Sequence, residues 1–430
     1  MRYVIIGNSA AGVGAVEAIR QRDAEGAVTI ISDEPHHTYS RPLISYLLGG
    51  LVDEARMAYR PPEFYEQNEV EAMLGTRVTR VHPVRHELAL AGGGVVAYDQ
   101  LLIATGGKPF VPPVPGGELD GVFTFTTWQD ARQIGRYIER YGVQSALVIG
   151  GGLIGLKATE ALMARDIDVT IVELADRILS TSFDQTASHL AESILRREGT
   201  EIRTGTTVEE IVGREERVDH ALLQDGARID CDIVLFAIGV RPNVDLVTPE
   251  EETGVRVGRG IIVDRQMRTT ADDVYAAGDC VEAYDMLIDG KRPIAIWPNA
   301  YRQGAIAGAN MAGGERAYGG GFPMNSVEVC GVPTIAVGLT DPQDEMGRIE
   351  ILERYDREAL TYKKLVLRGD RLVGAICVGE IDRVGIYTGL IRNRADVSPF
   401  KDTLLSGNFG LISLPKEYRK HMVTGEGIVV

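Results

Sequence analysis

Cysteine is scarce in this chain, and its placement excludes more than its number does. The 430 residues hold four, Cys231, Cys280, Cys330 and Cys377, each far from the next. No pair has the C-x-x-C spacing of a dithiol redox site, and no cluster has the spacing of a metal site. Scattered thiols fit a reducing cytoplasm, with each one a small buried apolar residue. Positive charge is the second shortage. Lys+Arg number 45 against 61 Asp+Glu, a formal net charge of −16, which argues against nucleic acid or an anionic membrane as the main partner. Long apolar runs are the third. None reaches the roughly 18 residues that a bilayer span needs, and MRYVIIG enters a strand directly, so no signal peptide is expected. Glycine, by contrast, is abundant at 50 residues without any collagen-like period, which predicts many tight turns and close backbone approaches. The length exceeds one ordinary core, so two or three domains are expected.

The glycines are organised. Ala146 to Glu173 reads ALVIGGGLIGLKATEALMARDIDVTIVE: a strand, a glycine turn, a helix carrying Leu153, Ile154 and Leu156, and a β-branched strand closing on an acid. This is the pattern of a dinucleotide-binding unit. Gly150 permits the tight turn, Gly152 lets backbone N–H groups approach a pyrophosphate, and Gly155 lets helix and strand pack closely. The helix N-terminus adds roughly half a positive charge. From Gly150 to Glu173 is 173 − 150 = 23 residues, against the roughly 20 expected. The unit occurs twice. Arg2 to Ile6 breaks at Gly7-Asn8-Ser9-Ala10-Ala11-Gly12, a helix follows, and Val28 to Ile31 ends in Ser32-Asp33-Glu34. Ser9 stands where the middle glycine belongs, a small side chain at a place approached through backbone.

Between and after these units the chain punctuates itself. Thr76–Val81 and Glu87–Tyr98 predict a small antiparallel insert tipped by Gly92-Gly93-Gly94. A buried strand then ends in Ala104-Thr105-Gly106-Gly107, and Pro109, Pro112, Pro113 and Pro115 read as a stiff crossover. Helices are expected over Trp128–Tyr141 and Ser188–Glu198, and a strand over Ile233–Ile238 that exits through Gly239-Val240-Arg241-Pro242-Asn243. Val274–Cys280 places Gly278-Asp279 at a strand end, and Trp297-Pro298-Asn299-Ala300 starts a small-residue helix. From about Gly319 alternating strands and a helical tail suggest a third, interface-forming domain. His36 and His37 are neighbours that seldom point at one ion, so no metal site is read there.

In this order, Gly7–Gly12, Ala104-Thr105-Gly106, Gly150–Gly155, Gly239 with Arg241-Pro242-Asn243, and Gly278-Asp279 resemble the FAD- and NAD(P)H-dependent pyridine nucleotide–disulfide oxidoreductase superfamily over nearly the whole chain. Glu34-Pro35-His36-His37-Thr38-Tyr39-Ser40-Arg41-Pro42-Leu43 and Trp297-Pro298-Asn299-Ala300 are similar to its rubredoxin- and ferredoxin-reductase branch. The resemblance implies an α/β chain with two Rossmann-like domains and an α+β C-terminal interface domain. FAD would occupy segments 1–112 and 240–318, NAD the region 113–239, and the interface domain 319–430. It implies an FAD site at Gly7, Ser9, Ala10, Ala11, Gly12, Arg41, Pro42, Val78, Ala104, Thr105, Gly106, Gly278 and Asp279. Asp33 or Glu34 would hold the adenosine ribose, and Trp297 would lie at the flavin. It implies an NAD site at Gly150, Gly152, Leu153, Ile154, Gly155, Glu173, Ile238 and Gly239.

A redox cysteine of the superfamily would fall near Pro42, which argues against disulfide reductase and sulfenate peroxidase activities. What remains is an FAD-dependent NADH:acceptor oxidoreductase. Hydride would pass between nicotinamide C4 and flavin N5, and single electrons to or from an iron–sulfur or rubredoxin/ferredoxin-type carrier, with the chain alone or as the NADH-reactive subunit of a larger complex. The alternatives are an NADH oxidase that reduces O₂ and a non-enzymatic flavoprotein switched by NADH. Glu173 favours NADH over NADPH, because a carboxylate would repel a 2′-phosphate, whereas a mobile Arg177 would favour NADPH. Family members pair a glutamate with a lysine where this chain has Lys157 and Tyr46, so Lys157 is expected to reach toward flavin N5. Arg392, Arg394, Lys401, Lys416, Arg419 and Lys420 form a basic stretch that could dock an acidic carrier. A homodimer or hetero-oligomer is expected.

Overall fold

The computed structural model describes residues 1–342, 347–407, 409, 410, 413 and 414. Two five-stranded sheets repeat one plan. The first runs in the order Val274–Ala276, Gln100–Ile103, Arg2–Ile6, Ala27–Ser32, Val70–Leu74, and every neighbour in it is parallel. The second runs Glu201–Thr204, Asp168–Glu173, Ser145–Ile149, Ile233–Phe236, Val122–Thr124, again parallel throughout. Strands covered on both faces read as unbroken apolar runs rather than alternating ones, and Val4, Ile5, Leu147 and Val148 are all buried. The first sheet takes its edge strand from beyond the second, so one domain is assembled from two stretches of chain. Gly107–Pro109 and Val240–Pro242 pair antiparallel where the chain crosses out and back.

Register exposes the duplication. Ile6 sits opposite Ile31 as Ile149 sits opposite Val172. Gly7 therefore matches Gly150, and the residue matching Glu173 is Ser32, one position before Asp33. Helix Ala10–Arg20 packs along helix Trp297–Met311 through residues that have almost no side chain. A Cβ on Gly304 would lie 2.0 Å from the Ala11 carbonyl oxygen, and one on Gly308 2.4 Å from that of Ala15.

Expected boundaries shift for local reasons. The helix read from Ser188 begins at Gln185, because the Asp184 carboxylate accepts from Ala187 N at 3.0 Å and caps it. The strand read to Ile238 ends at Phe236. Val122–Thr124 is a sheet strand too short for periodicity to reveal. The C-terminal sheet is antiparallel, ordered Met324–Val329, Val332–Gly338, Arg371–Val378, Thr361–Arg368, Ile349–Asp356, with helix Val384–Arg392 packed on it. It is bolted to the second parallel domain by Lys364 and the Tyr362 hydroxyl, which donate to Asp184 at 2.9 and 2.8 Å, and by Arg177 to Asp341 at 3.3 Å. No helix among the described residues is long and apolar enough to cross a membrane.

Candidate functional site

A cleft of about 660 Å³ opens at the carboxyl ends of the first sheet, where open α/β sheets bind ligands. Its floor is the first glycine turn. Gly7 is left-handed (φ +119°), and a Cβ there would lie 2.1 Å from the Ala104 carbonyl oxygen. Gly12 lies just behind the floor, where a Cβ would meet Gly7 O at 2.1 Å, so it fixes the close packing of helix on strand. Ser9 is the extended N-cap of helix Ala10–Arg20 and its hydroxyl makes no cap bond. That leaves the helix N-terminal N–H groups of Ala10 and Ala11 facing the cleft. Val78, Ala104, Thr105 and Gly106 form one wall, Gly278 and Asp279 another. The Thr105 hydroxyl donates to Asn243 O at 2.6 Å, and Gly278 N donates to the Gln303 side chain at 2.9 Å.

Charge in the cleft is concentrated. Burial pushes the Asp279 carboxyl up to about 6, against the opposing pull of Arg41. Arg41 donates to Thr126 O at 3.0 Å and to Glu34 Oε1, and Glu34 Oε2 accepts from the Tyr39 hydroxyl at 2.7 Å. Asp33 lies exposed at the rim. Trp297 lines the far end and meets Tyr59 edge-on, with centroids 4.8 Å apart. Pro42, Ile44 and Ile154 supply apolar surface, and no cysteine is among the described residues lining the cleft. Cys280 is behind the wall, fully buried, and burial pushes its thiol up to about 11. Among the described residues no group of side chains could hold a metal ion.

The second glycine turn stands at the matching end of the second sheet. Gly150 has φ +107°, and a Cβ on Gly155 would lie 1.9 Å from Gly150 O, repeating the contact between Gly12 and Gly7. Gly152 caps helix Leu153–Met163, and a Cβ there would enter open space, so its hydrogen keeps the helix N-terminus approachable. Glu173 accepts from Gly151 N at 2.6 Å and Ala175 N at 2.7 Å, which fixes the carboxylate at the strand end. Ile238 and Gly239 follow the facing strand, with Gly239 at φ +101° and open space above it. Of this set only Ile154 also lines the first cleft.

Several expectations need correction. Lys157 does not reach the cleft. Its ammonium donates to Glu160 and, at 2.8 Å, to Glu328 O in the C-terminal domain, because helix Leu153–Met163 presents that face to the hairpin carrying Cys330. Tyr46 is exposed and outside the cleft lining. Glu34 lines the cleft as expected, and its carboxylate also accepts from Tyr39 and Arg41. Arg177 is paired with Asp176 at 3.0 Å and Asp341 at 3.3 Å. Of the basic stretch, Lys401 pairs with Glu350, Arg394 donates to Tyr284 and Met286 O, and Arg392 lies by Arg302. Lys416, Arg419 and Lys420 lie outside the described residues. Sequence reasoning missed Lys108 and Asp245, an ion pair of 2.6 Å on the cleft wall, and Thr126. The Arg241-Pro242-Asn243 turn signalled the first pair; nothing local signals a backbone carbonyl such as that of Thr126.

Comparison with known proteins gives one consistent answer. The family model described as "pyridine nucleotide-disulphide oxidoreductase" matches residues 1–304, and "rubredoxin NAD+ reductase C-terminal domain" matches 323–395. The chain is 33% identical to the NADH-dependent phenylglyoxylate dehydrogenase subunit epsilon of Aromatoleum evansii, covering 94% of each chain. It is 32% identical to a Bacillus subtilis (strain 168) nitrite reductase that uses NAD(P)H, over 92% of this chain but only 48% of that one, so it spans about half the length of that relative. Among solved structures, the putidaredoxin reductase of a covalent complex with putidaredoxin superposes with a TM-score of 0.84 at 27% identity, covering 93% of this chain and 94% of that one.

Proposed function

This chain belongs to the pyridine nucleotide-disulphide oxidoreductase family, and on that premise we propose that it is an FAD-dependent NADH:acceptor oxidoreductase. It exchanges electrons with an iron–sulfur or rubredoxin/ferredoxin-type partner, alone or as the NADH-reactive subunit of a larger redox complex. The observation that carries this reading is a cleft floored by the first glycine turn and lined by Pro42 and Ile44, with no cysteine among its described lining residues. The cradle suits FAD: Gly7 and Gly12, whose Cβ atoms would clash with the Ala104 and Gly7 carbonyl oxygens, keep the turn tight, helix N-terminal N–H groups suit a diphosphate, and Asp279 suits a sugar-chain hydroxyl. When bound, the flavin supplies the chemistry, taking a hydride and giving up single electrons.

The residues of the chain bind and orient. Gly150, Gly152, Leu153, Ile154 and Gly155 with Ile238 and Gly239 seat NAD(H), and Glu173 takes its ribose hydroxyls, favouring NADH. Gly7, Ser9, Ala10, Ala11, Asp33, Arg41, Pro42, Val78, Ala104, Thr105, Gly106, Gly278, Asp279 and Trp297 seat FAD, while Gly12 holds the turn behind them. Ile154 lies at both sites and so marks where the two cofactors meet. The FAD domain spans 1–112 and 240–318, the NAD domain 113–239 and the interface domain 319–430. The setting is cytoplasmic, with no nucleic-acid partner and no membrane span.

A second reading, direct reduction of O₂, is favoured by the 32% identity over 348 residues to an NADH oxidase of Methanocaldococcus jannaschii. Anaerobic reduction of the holoenzyme by NADH separates the two. Slow reoxidation on admitting air, with fast reoxidation by a rubredoxin or ferredoxin, supports the carrier reading; the reverse order overturns it.

A further inference from the structure

We propose that Glu34 is a positioning residue that aims Arg41 at the FAD diphosphate, leaving the adenosine ribose to Asp33. The inference rests on the FAD reading of the cleft.

Three observations carry it. The Glu34 carboxylate is engaged on both oxygens, one by the Arg41 guanidinium and the other accepting from Tyr39 at 2.7 Å. The bond to the guanidinium is charge-assisted, so the carboxylate holds the arginine side chain in one orientation. The strand register comes second. Ile6 opposite Ile31 and Ile149 opposite Val172 make Ser32 the counterpart of Glu173. The first carboxylate after that point is Asp33, which is exposed, lines the cleft and has no partner among the described residues.

Arg41 is the third. Its guanidinium is fixed from behind by Glu34 and by Thr126 O at 3.0 Å, and it lies 5.3 Å from the centroid of the Tyr39 ring. Its remaining N–H groups are free for the cleft it lines. A guanidinium there faces Asp279 and, when FAD is bound, the only full negative charge of the oxidised cofactor, the diphosphate. The Tyr39 hydroxyl also accepts from Trp128 N at 3.1 Å, at the start of the helix Trp128–Tyr141. The aim of Arg41 is thereby set jointly by the loop after the second strand and by the start of the second dinucleotide domain. This gives the spacing of Glu34, Tyr39 and Arg41 a physical meaning: an anchor, a hinge pin and the group they hold.

The test is the rate of FAD release from diluted holoenzyme, read by flavin fluorescence, with the protein loaded either with FAD or with FAD carrying 2′-deoxyadenosine. Glu34→Gln is expected to speed release about tenfold with both cofactors, and to add nothing in an Arg41→Gln background. Asp33→Asn is expected to speed release of FAD only. Tyr39→Phe, which loosens the same carboxylate, should show the Glu34→Gln pattern at smaller size, and Glu34→Asp should recover part of the loss. A Glu34→Gln effect that vanishes with the deoxy cofactor makes Glu34 the ribose ligand and overturns the proposal, as does a null effect of Glu34→Gln or one that persists undiminished without Arg41. If the purified chain holds no FAD, the reading of the cleft fails before these comparisons begin.

Discussion

At the scale of single residues, two carboxylates decide the site. Asp279 is held up to about 6 by burial, above the ordinary aspartate value of about 3.9 in an unfolded chain. The folded form therefore binds its proton more tightly, and the stability this contributes is present below about pH 4 and lost as pH rises through about 6. Thermal unfolding of flavin-stripped protein should show that decline, and Asp279→Asn should flatten it across the same window. Glu173 is the second. Removing it with Glu173→Ala is expected to weaken NADH about tenfold or more in KM and to narrow the gap to NADPH, measured as kcat/KM for each. Arg177→Ala should leave that gap unchanged, since Arg177 is committed to Asp176 and Asp341. The glycines and Asp279 were legible in the sequence because their roles are backbone geometry and strand-end position, which spacing encodes. The choice between Asp33 and Glu34 was not, because it depends on what Tyr39 and Arg41 do in three dimensions.

At the scale of elements, the chain works by close approach of backbone. Gly155→Ala would put a Cβ 1.9 Å from a carbonyl oxygen, and Gly304→Ala one 2.0 Å from another. Each should cost about 1–3 kcal/mol in denaturant unfolding by overpacking. Gly155→Ala should also weaken NADH retention, and Gly304→Ala should instead loosen FAD, because its helix begins at Trp297. Lys157 belongs to this scale and not to the chemistry. Lys157→Ala should cost about 1 kcal/mol of stability through the lost contact to Glu328 O while leaving the rate of flavin reduction by NADH unchanged in stopped flow. The sequence reading put Lys157 at the flavin from its place in a motif. A helix position fixes which neighbours are one turn away, but not which domain will pack on that face, and that was settled by a hairpin more than 150 residues on, at Glu328. The two parallel sheets were legible because strands buried on both faces announce themselves; Val122–Thr124 was not, being too short to carry a period.

At the scale of the whole molecule, two copies of one parallel-sheet plan share a chain, and a third domain is bolted to the second by Asp184 with Lys364 and Tyr362. Among the described residues no cysteine lines the cleft, which fits the one-electron exit from the flavin proposed above. The most direct measurement of that claim is electron counting. Holoenzyme, limiting NADH and excess oxidised rubredoxin or ferredoxin are mixed without oxygen, and both absorbances are followed. The account predicts about two carriers reduced for each NADH consumed, through a flavin that is reduced first. NADH consumed with no carrier reduced, or only once oxygen is admitted, would contradict it.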